Sequence, residues 1–272
     1  MKYTSNEQDK FCSVIDALHS RKIPYVILRG YEKLPERTPG SDIDFYIPSE
    51  YFDRAVTICL QKEFQWRSEV TAPPIYQPAI NSLRLVTDAV QKPKKAAEYT
   101  LYRQNELFDL LKQSLIISKN SDEIKEHGQG ELGIREAMVL FDNLQIHIFD
   151  HLAYWNIDGT NKLRVSKFVE DSIIQNRVHE NGLYIPSLPD ELAHLICRTV
   201  FDYNYKGKQI PEYHISKCES LATDIVDNKK HWDIFKDLVS LLFHGADEVV
   251  LESVENREFE NIRDKLYAYS NY

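Results

Sequence analysis

Apolar residues recur at helical spacing over residues 6 to 20, where Phe11, Val14, Ile15 and Leu18 line one side of NEQDKFCSVIDALHS. The stripe predicts an amphipathic helix. RKIP ends it, because proline disfavours helical geometry in the residue before it. YVIL, residues 25 to 28, is a continuous run rich in β-formers and predicts a buried strand. Arg29-Gly30 breaks that run, a loop containing LPERTPG follows, and DIDFYI predicts a second strand. Pro48-Ser49 opens the next helix, with Ser49 as N-cap and Phe52, Ala55, Val56, Cys59 and Leu60 turned inward. FQWRSEV reads as a third strand.

Between about Thr71 and Gly130 the periodicity weakens. PPIYQP is loop-like, AAEYTLYRQNELFDLLKQSLI is helical in pattern, and NSDEIKEHGQGE is polar throughout. Alternation returns over residues 137 to 149, where AMVLF and LQIHIF flank Asp142-Asn143 and predict a hairpin. VHENGLYIP predicts another around Asn181-Gly182. From there the period is helical. Ser187 caps SLPDELAHLICRTVFDY, whose stripe runs through Leu192, Leu195, Ile196, Thr199 and Val200. Further helical stretches cover roughly 211–226, 230–244 and 246–267. The expected fold class is therefore α+β, a mixed sheet flanked by helices followed by a helical bundle. Its expected division is a domain over 1–155, with a poorly defined insertion at about 71–130, and a mainly helical domain over 156–272.

Composition narrows the function classes. The chain has 272 residues, 43% apolar and 28% charged, enough for a sizeable core. No apolar run reaches membrane-spanning length. MKYTSNEQDK lacks the apolar stretch of a secretory leader, so a cytoplasmic location is expected. Cys12, Cys59, Cys197 and Cys218 are scattered, which predicts reduced thiols and neither disulfides nor zinc. The net charge is −9, and QKPKK is the densest basic patch. A nucleic-acid partner is disfavoured by that balance, whereas a mononucleotide with its cation is not.

The candidate chemistry lies in GYEKLPERTPGSDIDFYI. Side chains alternate along a strand, so Asp42 and Asp44 share a face, with Cα atoms roughly 6–7 Å apart. Two carboxylates at that spacing can converge on a divalent cation, and magnesium prefers a few carboxylates plus substrate phosphates. Gly30 allows a tight turn that brings backbone N–H groups against a phosphate. Arg29 and Ser41 flank the same place and can contribute a charge and a hydroxyl.

A glycine, a loop of this length and Asp-x-Asp together resemble the signature of the nucleotidyltransferase superfamily related to DNA polymerase β. Here Gly30-Tyr31 precedes the loop Glu32 to Ser41 and then Asp42-Ile43-Asp44. The wording LRG…SDIDFYI is similar to a divergent bacterial branch associated with surface-polysaccharide genes. Tyr31 departs from the small residue usual there, which leaves the phosphate contact to the backbone. The resemblance covers residues 8 to 60 well and 137 to 155 loosely. It implies transfer of a nucleoside monophosphate from a nucleoside triphosphate to a hydroxyl or phosphate acceptor on a small molecule, sugar or protein. It also implies Mg²⁺ or Mn²⁺ on Asp42 and Asp44, with Arg29, Gly30 and Ser41 at the nucleotide. Family members supply a third carboxylate from a later strand. LQIHIFDHLAYW is the candidate strand; IHI stands where IDI is expected, which puts His147 in that position and Asp150 three residues on.

Two alternatives belong to other classes. A degenerate domain of the same fold would bind nucleotide or a protein partner without turnover. A glycosyltransferase also uses Asp-x-Asp, but normally after a complete nucleotide-binding half, and residue 42 comes too early for that.

Overall fold

The computed structural model describes residues 3–36, 42–66, 135–155, 162–202 and 210–266. Met1–Trp66 and Met138–Tyr272 together form one compact unit, and Arg67–Ala137 a second. Ser41 and the whole 71–130 stretch, with its predicted helix, lie outside the described residues.

The chain is mixed α and β. Helix α1 (Ser5–Ser20) is followed by β1 (Val26–Ile27), a 3₁₀ turn at Tyr31–Lys33, β2 (Asp42–Tyr46), a second 3₁₀ turn at Ser49–Tyr51, α2 (Phe52–Gln61) and β3 (Gln65–Trp66). Then come β4 (Glu136–Phe141), β5 (Leu144–Phe149), and a small pair, β6 (Ala153–Trp155) and β7 (Lys162–Arg164). Helix α3 (Lys167–Gln175), the hairpin β8 (Val178–Glu180) and β9 (Leu183–Ile185), and α4 (Leu188–Cys197) lead into α5 (Glu212–Val226), α6 (Lys229–Leu242), α7 (Asp247–Glu255) and α8 (Ile262–Leu266). Among the described residues no helix is long and apolar enough to cross a membrane. All four cysteines are free.

The main sheet has the order β1-β2-β5-β4-β3. β1 is antiparallel to β2, whereas β2 and β5 run parallel, with Ile43 opposite Ile146 and Phe45 opposite Ile148. That odd-numbered face of β2 is apolar and fully buried, and Phe45 meets Phe11 of α1 edge to face at 6.5 Å. On the opposite face, Tyr46 and Phe149 pack with Leu152 and with Ile173 of α3. The other end of this face carries Asp42, Asp44 and His147. In the helical half, α4 is buried on nearly every side, and its Leu192, Ile196 and Cys197 join Cys218, Ala222, Phe235, Val239 and Val254 in one core.

Several local details differ from the sequence pattern. Of the YVIL run, Val26–Ile27 form the strand, with Leu28 N bonding on to Asp44 O of β2, and Tyr25 and Leu28 are buried too. Ser49 does not cap α2: its hydroxyl donates to Asp150, the chain makes a 3₁₀ turn, and Tyr51 takes the N-cap position. The single stretch read over 246–267 is two helices, α7 and α8. α7 stops because Arg257 adopts φ 62, with Glu258 N bonded to Ser253 O at 2.8 Å and Arg257 N to Val254 O at 3.2 Å. That pair of bonds is a Schellman closure built without glycine. The same closure ends α1 at Lys22 and α2 at Glu63.

Candidate metal centre

The parallel register of β2 and β5 sets Asp42 opposite Gln145 and Asp44 opposite His147. Alternation then places both acids and the imidazole on one face of the sheet. One potential donor atom from each of Asp42, Asp44 and His147 lies within 4.8 Å of the others. His147 Nδ1 is 3.9 Å from Asp42 Oδ2 and equally 3.9 Å from Asp44 Oδ1.

Arg29 takes the remaining oxygens. Its Nε donates to Asp44 Oδ2, and a terminal nitrogen lies 4.0 Å from Asp42 Oδ1. Each carboxylate therefore turns one oxygen to Arg29 and the other toward His147. Arg29 reaches them because Leu28 N bonds to Asp44 O at 2.9 Å, carrying the end of β1 alongside β2. Asp44 is 3% exposed, and an ionised carboxylate so buried requires a partner such as this guanidinium. Asp42 is more open. The imidazole of His147 above all, then the charge of Arg29, hold its carboxyl well below the usual range against the opposing cost of burial.

Gly30 is in the left-handed region (φ 65, ψ 26) and starts the 3₁₀ turn at Tyr31–Lys33. The helical half anchors this turn. Tyr31 Oη donates to Glu191 Oε2 at 2.7 Å, and Lys217 Nζ lies 3.3 Å from Glu191 Oε1 and 2.9 Å from Glu32 Oε1, over the Tyr31 ring. Glu191 is 1% exposed, and burial raises its pKa, with Tyr31 and Lys217 opposing.

Asp150 is not among the three converging donors. It is fully buried and accepts from Ser49 Oγ at 3.2 Å, with His151 Nε2 at 3.9 Å. β5 ends at Phe149, and Asp150 lies just beyond it at a bend in the chain. Glu191 and Lys217 carried no recognisable signal in the sequence: one reads as a first-turn acid of a capped helix, the other as a solvated lysine.

Two carboxylate oxygens and an imidazole nitrogen at these separations suit a divalent cation, since carboxylates and imidazole are both ordinary metal donors. Of the three donors, Asp42 is the most exposed, its side chain one-third open, whereas Asp44 is nearly buried. No family model, curated protein or solved structure matches the chain.

Proposed function

We propose that the protein is a metal-dependent nucleotidyltransferase, moving a nucleoside monophosphate from a nucleoside triphosphate to a hydroxyl or phosphate acceptor. The observation that carries this is the paired presentation of Asp42 and Asp44 on one face of β2, following the left-handed Gly30 turn in the chain.

The acceptor oxygen attacks the α-phosphorus and a P–O bond forms, a hydroxyl acceptor passing its proton to water, while the bond from the α-phosphorus to the oxygen bridging to the β-phosphate breaks and pyrophosphate leaves. A cation held by Asp42, Asp44 and His147 would neutralise phosphate charge and orient the α-phosphoryl group. Arg29 contributes in two ways: it keeps the two carboxylates turned toward the donor cluster, and it supplies positive charge beside them. The Gly30 turn, held by Tyr31 and Glu191, presents backbone without a side chain in the way. Such transfers depend mainly on positioning and charge, which these groups provide. The net charge of −9 favours a small or protein-borne acceptor over a polynucleotide.

One observation favours a second reading, a binding domain of the same fold without turnover: a histidine occupies the position of the expected third carboxylate, leaving no acid there to deprotonate the acceptor. Pyrophosphate release separates the two. Wild type and Asp42→Asn are assayed with each of the common nucleoside triphosphates, Mg²⁺ or Mn²⁺, and sugar, sugar-phosphate and protein acceptors. Metal-dependent release abolished by Asp42→Asn supports the transferase; nucleotide binding without release across the panel supports the binding domain.

A further inference from the structure

We infer that the centre is built for a divalent transition ion, Mn²⁺ or a chemically similar Co²⁺ or Zn²⁺, in preference to Mg²⁺, and that His147 Nδ1 is a direct ligand. This rests on the proposed function for its biological purpose, but not for its test. The chemistry follows from the donor set. Magnesium is a hard cation that prefers an all-oxygen shell and holds its waters; Zn²⁺ and the later transition ions bind imidazole well, and Mn²⁺, though also at home on carboxylates, takes an imidazole nitrogen more readily than Mg²⁺ does. Here the third donor beside Asp42 and Asp44 is a nitrogen, 3.9 Å from an oxygen of each.

Charge points the same way. A third carboxylate would add to the attraction that Mg²⁺ depends on. Instead, among the described residues, the two carboxylates share the guanidinium of Arg29, which offsets part of their charge. An ion drawn mainly by charge loses most under that arrangement. One that gains from a nitrogen donor loses least. Arg29 also fixes which oxygens are available: with Oδ2 of Asp44 engaged and Oδ1 of Asp42 facing the same guanidinium, the other two oxygens remain on the side of His147.

The test uses the full chain and metal alone. Mn²⁺ is titrated into the metal-free protein and followed by electron paramagnetic resonance, with Mg²⁺ as competitor. Electron spin echo modulation then reads any ¹⁴N directly bonded to the manganese. The expected result is Mn²⁺ bound at least tenfold more tightly than Mg²⁺, with imidazole nitrogen modulation in wild type. His147→Ala should lose that modulation and at least tenfold in Mn²⁺ affinity, and His147→Asp should narrow the Mn²⁺-to-Mg²⁺ ratio. Wild-type Mn²⁺ without nitrogen modulation, equal affinity for the two ions, or no Mn²⁺ binding at all overturns the inference. The wild-type spectrum decides even if a variant fails to fold. Nucleotide binding on the same samples keeps the two claims apart. Metal-dependent binding lost in Asp42→Asn but without a nitrogen ligand defeats only the metal inference; a nitrogen-ligated ion with no nucleotide binding defeats only the proposed transferase.

Discussion

Arg29 and His147 divide the carboxylate of Asp44 between them, the guanidinium on Oδ2 and the imidazole 3.9 Å from Oδ1. Removing the guanidinium leaves a nearly buried charge without its main partner. Arg29→Met should cost about 2–3 kcal/mol, less than for a wholly buried pair because Arg29 is partly exposed. Adding Asp44→Asn to that variant should recover part of the loss. A double-mutant cycle by chemical denaturation measures the coupling, and additive losses would show that the pair does not stabilise the fold.

Tyr31 and Glu191 join segments 160 residues apart in sequence. Tyr31→Phe should destabilise by about 1–2 kcal/mol, because a buried carboxylate loses a donor and, among the described residues, keeps Lys217. Glu191→Gln should cost less, since a neutral amide still accepts from Tyr31. The order of the two denaturation midpoints checks this.

Glu7 performs two jobs with one side chain. Its carboxylate accepts from Thr4 N at 2.6 Å, completing a capping box at α1, and from Asn143 N at 2.9 Å in the β4–β5 turn. Both bonds help hold its pKa below the ordinary value against burial. Glu7→Ala should cost about 2 kcal/mol, through a lost cap and an unsatisfied turn N–H. Far-UV circular dichroism with denaturant reads the loss.

His214 sets a pH dependence. Burial depresses its pKa from 6.5 to about 4, against the opposing bond to Leu195 O at 3.1 Å. Its neutral form is therefore favoured in the fold. The associated stability is present above about pH 6.5 and is lost as pH falls toward 4, by at most about 3 kcal/mol. His194, also buried and depressed, adds in the same direction. Denaturation at pH 7.5 and 5.0 should show His214→Gln losing less stability on acidification than wild type.

Much of this architecture was legible in the pattern of residues. Asp142-Asn143 and Asn181-Gly182 announced their turns, and Asp142 (φ 51), Asn181 (φ 49) and Gly182 (φ 80) take left-handed conformations there. Ser187 caps α4 through the Asp190 N–H, as its spacing implied. The shared face of Asp42 and Asp44 followed from alternation, and IHI located His147 beside them. What was not legible depends on contacts distant in sequence or on tolerated strain. The helix ends at Lys22, Glu63 and Arg257 use left-handed residues with side chains, where sequence patterns lead one to look for glycine. Arg29 lies fifteen residues before Asp44, and nothing local indicates that it would engage both acids. Ser49 had the right residue type for an N-cap, but the chain first makes a 3₁₀ turn over Ser49–Tyr51, so the helix starts at Phe52 and the N-cap position falls on Tyr51.

The most direct measurement for the site is calorimetric titration of the full chain with ATP, CTP, GTP and UTP, with and without Mn²⁺ or Mg²⁺, in wild type and Asp42→Asn. Asp42 is the better target, because Asp44 is more deeply buried and holds Arg29. At least one nucleotide should bind only with a divalent ion present, and at least tenfold more weakly in Asp42→Asn. Binding of none of the four, or binding that is equal in the variant and indifferent to metal, would contradict the proposed function.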